Sequence, residues 1–591
     1  MTDRKRTAGA PDEPAGPPAA KAGPAPAGAA DPTEGAAAGA AGSALPRTPE
    51  DPAHHRHQVA VLGAHLGGAM LAAVLARSGV DVVLVDAPAD RTTPAGEDTV
   101  PYTAEVLELL ARRFDVPELS RLGHFRELPE EVRATSGVKS SIGFVYARPG
   151  APVRPRQVVQ FNVPSEHGEA HLYRPDMEAH VHEIAVRHGA RVPRGRAPLA
   201  GVRGRAGDFT VVLADGSTVG ARFVVDMAGP DAPMLDHLGE GPHLRPLRHT
   251  TRVLTAHLRG VRPLEQRVDP GPGGTPWTGG TTLVVFPGGW LQLVPFGEVR
   301  DSAHTLTSVA LSLDPKQWPQ QDATPEEDFR RVVARFPDLA WQFERATALG
   351  EGWHGGEGGQ YAAVRTAGEG FLLLDRSAVR SDFVLARDFT LTCELVHEAA
   401  VAILAADRTG DWSPAAFRGV ESFQKSLVEH GESLVQAALA ATEDFRLWNA
   451  FCRVWLLHSM FAALSLKRAR NDALALTSET RWAQLSHYRG NGFWFPVYHG
   501  FHALYEDTSR VLHQVAEGRI PPGAAADRIF GQLRTAAFIP PLFGFADPDD
   551  RYYNFTPLKR FKVLYWAKRL APPQVRRVLT RGATIQPSTE R

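Results

Sequence analysis

The segment Gln58–Asp86 constrains this chain more than any other stretch. Gln58-Val59-Ala60-Val61-Leu62 is a short β-branched apolar run, the signature of a buried strand. Gly63-Ala64-His65-Leu66-Gly67-Gly68 follows, then the small apolar run Ala69–Arg77 with helical character, ended by Gly79. Asp81-Val82-Val83-Leu84-Val85-Asp86 is a second buried-type strand. Strand, glycine turn, helix and strand make a βαβ unit of the dinucleotide-binding kind, in which a pyrophosphate approaches backbone N–H groups at a helix N-terminus. Gly63 would make the tight turn, Gly68 the close helix–strand packing, and Asp86 would accept the ribose hydroxyls. The middle glycine of the pattern is replaced by His65, whose side chain stands where the phosphate comes closest, to donate to it or to crowd it.

A second block supports the same site. Ala221-Arg222-Phe223-Val224-Val225-Asp226 reads as a buried strand that ends in Asp226 and the small-residue turn Met227-Ala228-Gly229-Pro230. Asp226 and Gly229 would close over the ribityl and pyrophosphate region of a bound dinucleotide. Between about 140 and 370, alternating runs are punctuated by turn residues: Phe209–Leu213 precedes Asp215-Gly216, and Thr281–Phe286 precedes Pro287-Gly288-Gly289. These predict hairpins in a mixed or antiparallel sheet. From about 388 onward helices are expected over Leu391–Ala406, Phe423–Ala441 and the aromatic-rich Phe445–Leu466.

At 591 residues the chain is too long for one compact core. Three regions are expected: a disordered Ala/Gly/Pro-rich tail over 1–54, a core over 55–410 and a helical region over 411–591. The string His54-His55-Arg56-His57 reads as a solvated linker end rather than a metal site. A formal net charge of -1 offers no field for nucleic acid. Two cysteines, Cys393 and Cys452, exclude a disulfide framework. No apolar run approaches the roughly 18–20 residues of a membrane helix, and the N-terminus lacks a signal-peptide core, so the expectation is a cytoplasmic protein with no membrane partner. The basic, aromatic tail Lys559–Arg569 reads as a packed terminal helix with a solvated basic face.

Six strings in order give a more specific reading. They are Pro94–Thr103 (Pro-Ala-Gly-Glu-Asp-Thr-Val-Pro-Tyr-Thr), Arg113–Leu119, Gly137-Val138-Lys139 with Gly143–Tyr146, Glu169–Asp176, Gly288–Phe296, and Phe445–Ala450 with Arg453-Val454-Trp455. Together they resemble the flavin-dependent halogenases of the tryptophan-halogenase superfamily, in the branch acting on phenolic or carrier-bound aromatics. The resemblance spans about 58–460 and implies an α/β fold. A Rossmann-like FAD-binding domain would carry an inserted mixed or antiparallel β-sheet substrate region, followed by helices.

It further implies that a separate flavin reductase supplies reduced FAD, and that FAD with oxygen converts chloride or bromide to hypohalous acid. That oxidant would cross an interior tunnel to a lysine, here Lys139, beside a small-molecule or carrier-protein-tethered substrate. Gly96 and Thr99 lie in the segment that resembles the family's flavin-lining Gly-Glu-Ser-Thr-x-Pro.

The chain departs from the family pattern at defined points. Trp290 is kept from Trp-x-Trp, but Gln292 stands for the second tryptophan, and Asp98 stands for serine in Gly-Glu-Ser-Thr. Against Phe-x-x-Pro-x-x-Ser-x-Gly the chain has Arg380, Phe383, Ala386 and Asp388. A carboxylate near an anion site opposes halide binding. Two alternatives therefore stand beside the halogenase: a flavin monooxygenase without halide use, and a pseudoenzyme of this fold acting as a binding partner.

Overall fold

The computed structural model describes residues 55–86, 96–162, 168–230, 232–239, 243–297, 305–350, 352–355, 360–382, 384–385, 387–476, 482, 499–554, 556–573 and 575–576. The expected disordered tail, Pro94 and Ala95, and Phe383 and Ala386 of the altered motif lie outside the described residues. Residues His54–Arg591 cluster as one compact unit.

The opening βαβ unit forms as its residues require. β1 (Arg56–Leu62) pairs in parallel with β2 (Val82–Val85) on one side and with strand Thr218–Asp226 on the other. Both faces of β1 are covered, and Val59, Ala60, Val61 and Leu62 are fully buried. α1 (Leu66–Arg77) leaves the turn immediately. Gly63 adopts φ +94°, and a Cβ there would sit 2.6 Å from the Met227 carbonyl oxygen. A Cβ on Gly68 would meet the Gly63 carbonyl oxygen at 2.0 Å, so only glycine lets the helix start this close to the turn. The hairpin of Leu199–Arg205 and Asp208–Leu213 and the strands Phe371–Leu373 and Ala367–Gly368 complete a sheet of seven described strands.

The second sheet has nine described strands. Its centre runs Arg252–Arg259, Leu306–Leu313, Gly289–Pro295, Thr281–Phe286, Ser141–Tyr146 and Val158–Asn162. Its described pairs are antiparallel except where Thr281–Phe286 runs parallel to Ser141–Tyr146 and Tyr552–Tyr553 runs parallel to Val158–Asn162, which makes it the expected mixed sheet. Strand alternation divides Gly289–Pro295: Leu291 and Leu293 enter an apolar core, while Trp290, Gln292 and Val294 face the cavity described below.

Helices Asp388–Thr409, Arg418–Ala441 and Phe445–Leu474 open the helical part of the chain, and His499–Ala516 and Pro522–Thr535 continue it. The first corrects one expectation, because it is the one described helix long and apolar enough, by length and composition, to cross a membrane. Its apolar window is 67% buried inside the protein, against the Rossmann-side helices, so its apolarity serves the core. The terminal helix Pro557–Arg569 buries Trp566 and Ala567 but leaves Leu558, Phe561, Leu564 and Tyr565 exposed among its basic residues. Its outer face is thus mixed rather than simply basic.

Candidate functional site

A cavity of about 740 Å³ runs from the glycine turn of the first sheet to the alternating face of the second. His65, Gly96 and Gly229 border it at the nucleotide end. Trp290, Gln292 and Val294, with Ser308, Ala310 and Ser312 of the paired strand, border it at the sheet end. His65 is the N-cap of α1 and makes no side-chain cap bond. Of the first-turn N–H groups, that of Leu66 donates to Glu178 Oε1 at 3.4 Å, which leaves those of Gly67 and Gly68 for another acceptor. Two glycines whose Cβ would collide, an uncapped helix start and a small-residue turn make a backbone cradle, and such a cradle fits the pyrophosphate of FAD.

The expected cofactor residues divide by position. His65, Gly96 and Gly229 line the cavity, whereas Gly63 and Gly68 shape the turn behind it. Asp86 sits at the end of β2, 3.1 Å from Arg196 Nε. Thr99 is buried, donating to the Ala170 carbonyl at 3.1 Å and accepting from the Ala170 N–H at 3.0 Å. Asp226 is fully buried, and its carboxylate accepts from the N–H groups of Ala228 and Met234, each at 3.0 Å, and from the Ser377 hydroxyl at 2.9 Å. Asp226 thus braces the turn that presents Gly229.

Between the two ends lies a charge network that the sequence reading missed. Arg174 Nε bonds Glu178 one helical turn on, and Arg174 Nη1 lies 3.7 Å from Asp388 Oδ2. Arg376 Nη2 donates to the same Asp388 oxygen at 3.2 Å, and His65 Nδ1 lies 3.8 Å from Glu178 Oε2. Burial pushes the Glu178 carboxyl up, but Arg174 and His65 outweigh it and hold it down at about 2. Burial, then the neighbouring Asp388, raise Asp375. Asp388 opens helix Asp388–Thr409, where a carboxylate also suits the helix dipole. The i,i+4 spacing of Arg174 and Glu178 was the available sequence signal; Asp388 was legible only as a departure from the family pattern, and Arg376 offered none.

Lys139 is 1% exposed and does not line the cavity. Its Nζ donates to the Thr99 carbonyl at 2.5 Å and pairs with Asp98 Oδ2 at 3.4 Å. Asp98 does line the cavity, so a group entering meets this carboxylate before the lysine. Two departures from the family pattern meet here, since Gln292 Nε2 donates to Asp98 Oδ1 at 3.4 Å.

Short strands bring the set together. Gly137–Lys139 pairs antiparallel with Glu169–His171, placing Lys139 opposite Glu169, and Asp98 bridges to His171 on the other side. Residues opposite one another share a face, so Lys139, Glu169, His171 and Asp98 stand on the same side of this small layer. Burial, then the adjacent Lys139, push His171 down to about 3, so it is neutral. Its Nδ1–H donates to the Pro295 carbonyl at 2.7 Å. Thr281 Oγ1 lies 3.0 Å from His171 Nε2 and 3.1 Å from Asp98 Oδ2, one proton between two acceptors. Glu169 and His171 were legible only as a matched string; their period-two spacing in a strand was the signal that set them on one face.

Away from the cavity, His55 Nε2 and His57 Nδ1 both approach Asp81, at 2.9 Å and 3.1 Å. Arg191 Nε lies 3.4 Å from the same carboxylate.

No family model matches the chain. It is 29% identical to the tetracycline 7-halogenase of Kitasatospora aureofaciens over 89% of this chain and 95% of that one. It is 26% identical to the monodechloroaminopyrrolnitrin halogenase PrnC of Pseudomonas fluorescens over 88% of this chain and 93% of that one. Among solved structures it resembles the halogenase PltM in complex with phloroglucinol and FAD, with a TM-score of 0.77 and 26% identity over 84% of this chain and 99% of that one.

Proposed function

The chain belongs to the flavin-dependent halogenase superfamily, and on that premise we propose that it is an FAD-dependent halogenase acting on an aromatic or carrier-tethered secondary metabolite. The observation that carries this reading is one continuous cavity, with a backbone cradle at one end and Asp98, backed by Lys139, at the other. Gly96 and Gly229 would admit FAD close to the backbone, Gly63 and Gly68 would set the turn behind it, the start of α1 with His65 would take its pyrophosphate, and Asp86 its ribose. Thr99 and Asp226 would support this cradle from behind. Bound FAD, reduced by a separate flavin reductase, supplies the electrons that activate oxygen for oxidation of chloride or bromide.

The chain's own residues then divide the work. Trp290 is a wall between the flavin end and the substrate face. The Lys139 ammonium, turned by Asp98 and Thr99, donates a hydrogen bond that polarises the oxidised halogen for attack by the ring. The relatives support an aromatic substrate, since one structural neighbour holds phloroglucinol, a phenol, with FAD. We also propose 55–410 as the catalytic core and 411–591 as its cover. The buried free thiols Cys393 and Cys452 support a reducing, cytoplasmic setting.

One observation favours a monooxygenase as the second reading. Asp98 and Asp388 place carboxylates on the cavity wall, where they repel halide. FAD titration, followed by turnover with a flavin reductase and phloroglucinol in the presence and absence of chloride or bromide, separates the two. Halogen isotope patterns in the product support the halogenase, and a hydroxylated product formed without halide replaces it with the second reading. Protein that takes up no FAD overturns both.

A further inference from the structure

The reaction proposed above uses Lys139 but leaves a buried acid beside it without a role. Glu169 is 2% exposed, and neither carboxylate oxygen has a hydrogen-bond partner among the described residues. It stands directly opposite Lys139 across the antiparallel pair, a position that sets Cβ atoms roughly 4.5–5.5 Å apart. A carboxyl group buried without partners is costly to retain for packing alone. Asp98, at the cavity wall, pairs with the lysine at 3.4 Å, and the strand that carries Glu169 runs between their two segments.

Resting on the halogenase reading, we propose that Glu169 is the proton store beside Lys139, a positioning acid that keeps the lysine supplied during halogen transfer. Hypohalous acid gives its halogen to the ring carbon, so the C–X bond forms as the O–X bond breaks and the O–X electron pair stays on oxygen. Lys139 protonates that oxygen, which leaves as water. Glu169 reprotonates Lys139, and the proton released when the ring C–H bond breaks returns through the wall residues to the store. Proton, halogen and oxygen balance over the cycle.

The protonation state agrees with this cycle. Burial first, with Asp98 adding to it against the pull of Lys139, pushes the Glu169 carboxyl up to about 8. The store is therefore filled at neutral pH. The groups facing it are Lys139 from the partner strand, Asp98 from the cavity wall and neutral His171 on its own strand. The Phe125–Glu127 turn packed on this strand carries Arg126 and Glu127, both exposed to solvent.

The test uses the full chain loaded with FAD, a flavin reductase, bromide and phloroglucinol. Oxidised bromide is trapped separately by taurine as its haloamine. E169Q is expected to form haloamine at the wild-type rate while brominating phloroglucinol about a hundredfold more slowly. Wild-type bromination should fall as pH rises through about 8, and E169Q should lose that limb. Bromination by E169Q at the wild-type rate overturns the proposal, as does slower bromination with an unchanged pH profile, which marks a structural role. If E169Q does not fold, E169D is read by the same two measurements. Wild-type enzyme that binds FAD but yields no haloamine overturns the halogenase reading itself, and this inference with it.

Discussion

The two ends of the cavity are built from different materials. The nucleotide end is backbone: Gly63, Gly68, Gly229 and the start of α1, with Asp226 spent on holding a turn. The sheet end is side chains, with Asp98, Lys139, Glu169, His171 and Gln292 interlocked by ion pairing and hydrogen bonds or by cross-strand position. A backbone cradle tolerates almost any substitution that leaves its glycines alone. A buried side-chain network changes as a unit, because one altered member strands its partners. The departures from the family pattern accordingly gather at the sheet end and along the Asp388 network, while the turn keeps all but its middle glycine.

The largest effect should come from breaking the cradle. Gly68→Val places a branched side chain where even a Cβ lies 2.0 Å from the Gly63 carbonyl oxygen. FAD uptake, followed by flavin fluorescence, is expected to be abolished, with thermal melting as the control for folding. Retained uptake would show that the cofactor is held elsewhere and that the contrast between the two ends is misplaced.

At the sheet end the expected loss is in stability as well as turnover. Lys139→Met leaves Asp98 as an uncompensated charge, with both partners buried, at 1% and 2% side-chain exposure. Breaking a buried pair from one side costs about 3–5 kcal/mol. Urea unfolding should register that loss, and the double variant Lys139→Met with Asp98→Asn should recover most of it. Halogenation should be absent in both. Independent, additive losses would mean the pair is not the unit that the geometry describes.

The same division explains what the sequence made legible. The βαβ unit could be read because apolar runs and glycines act locally, each within a few residues of what it determines. The Gly288-Gly289 hairpin could be read for the same reason. Lys139 was legible through a family string, but its environment was not. That environment joins Glu169 and His171 of a three-residue strand to Asp98, held by a single bridge, and to Thr281 at the start of a strand more than a hundred residues on. Asp388 was recognised as a departure, yet its two arginine partners, Arg174 and Arg376, come from distant segments. The helix it opens looked too short for a membrane, because the apolar run is broken by Glu394, His397 and Glu398, which its packing absorbs.

Asp388 offers a smaller effect that sharpens the boundary between the ends. Its carboxylate occupies an arginine-flanked position at a helix start on the cavity wall. Asp388→Asn removes the charge and keeps the shape, so Arg174 and Arg376 gain the capacity to attract an anion. The halide concentration giving half-maximal halogenation is expected to fall about tenfold, equivalent to about 1.4 kcal/mol. An unchanged halide dependence would assign Asp388 to the nucleotide end alone.

The smallest effect separates a buried acid with a role in the site from one without. Glu394, fully buried on helix Asp388–Thr409, accepts the Tyr102 hydroxyl at 2.7 Å and lies outside the cavity lining. Burial pushes its carboxyl up to about 8, as it does for Glu169, despite Tyr102 and Arg387 pulling it down. An unfolded glutamate releases its proton near pH 4.5, whereas folded Glu394 keeps it to about 8. Folding therefore binds a proton across that window, and stability falls as pH rises through it, levelling off above about 8. Glu394→Gln removes the titration while leaving an acceptor for Tyr102. Its melting temperature should match the wild type near pH 4.5 and exceed it by a few degrees at pH 7.5, with FAD uptake and the pH profile of halogenation unmoved. A shift in that profile on replacing Glu394 would mean that burial alone, and not the position opposite Lys139, sets which acid the reaction feels.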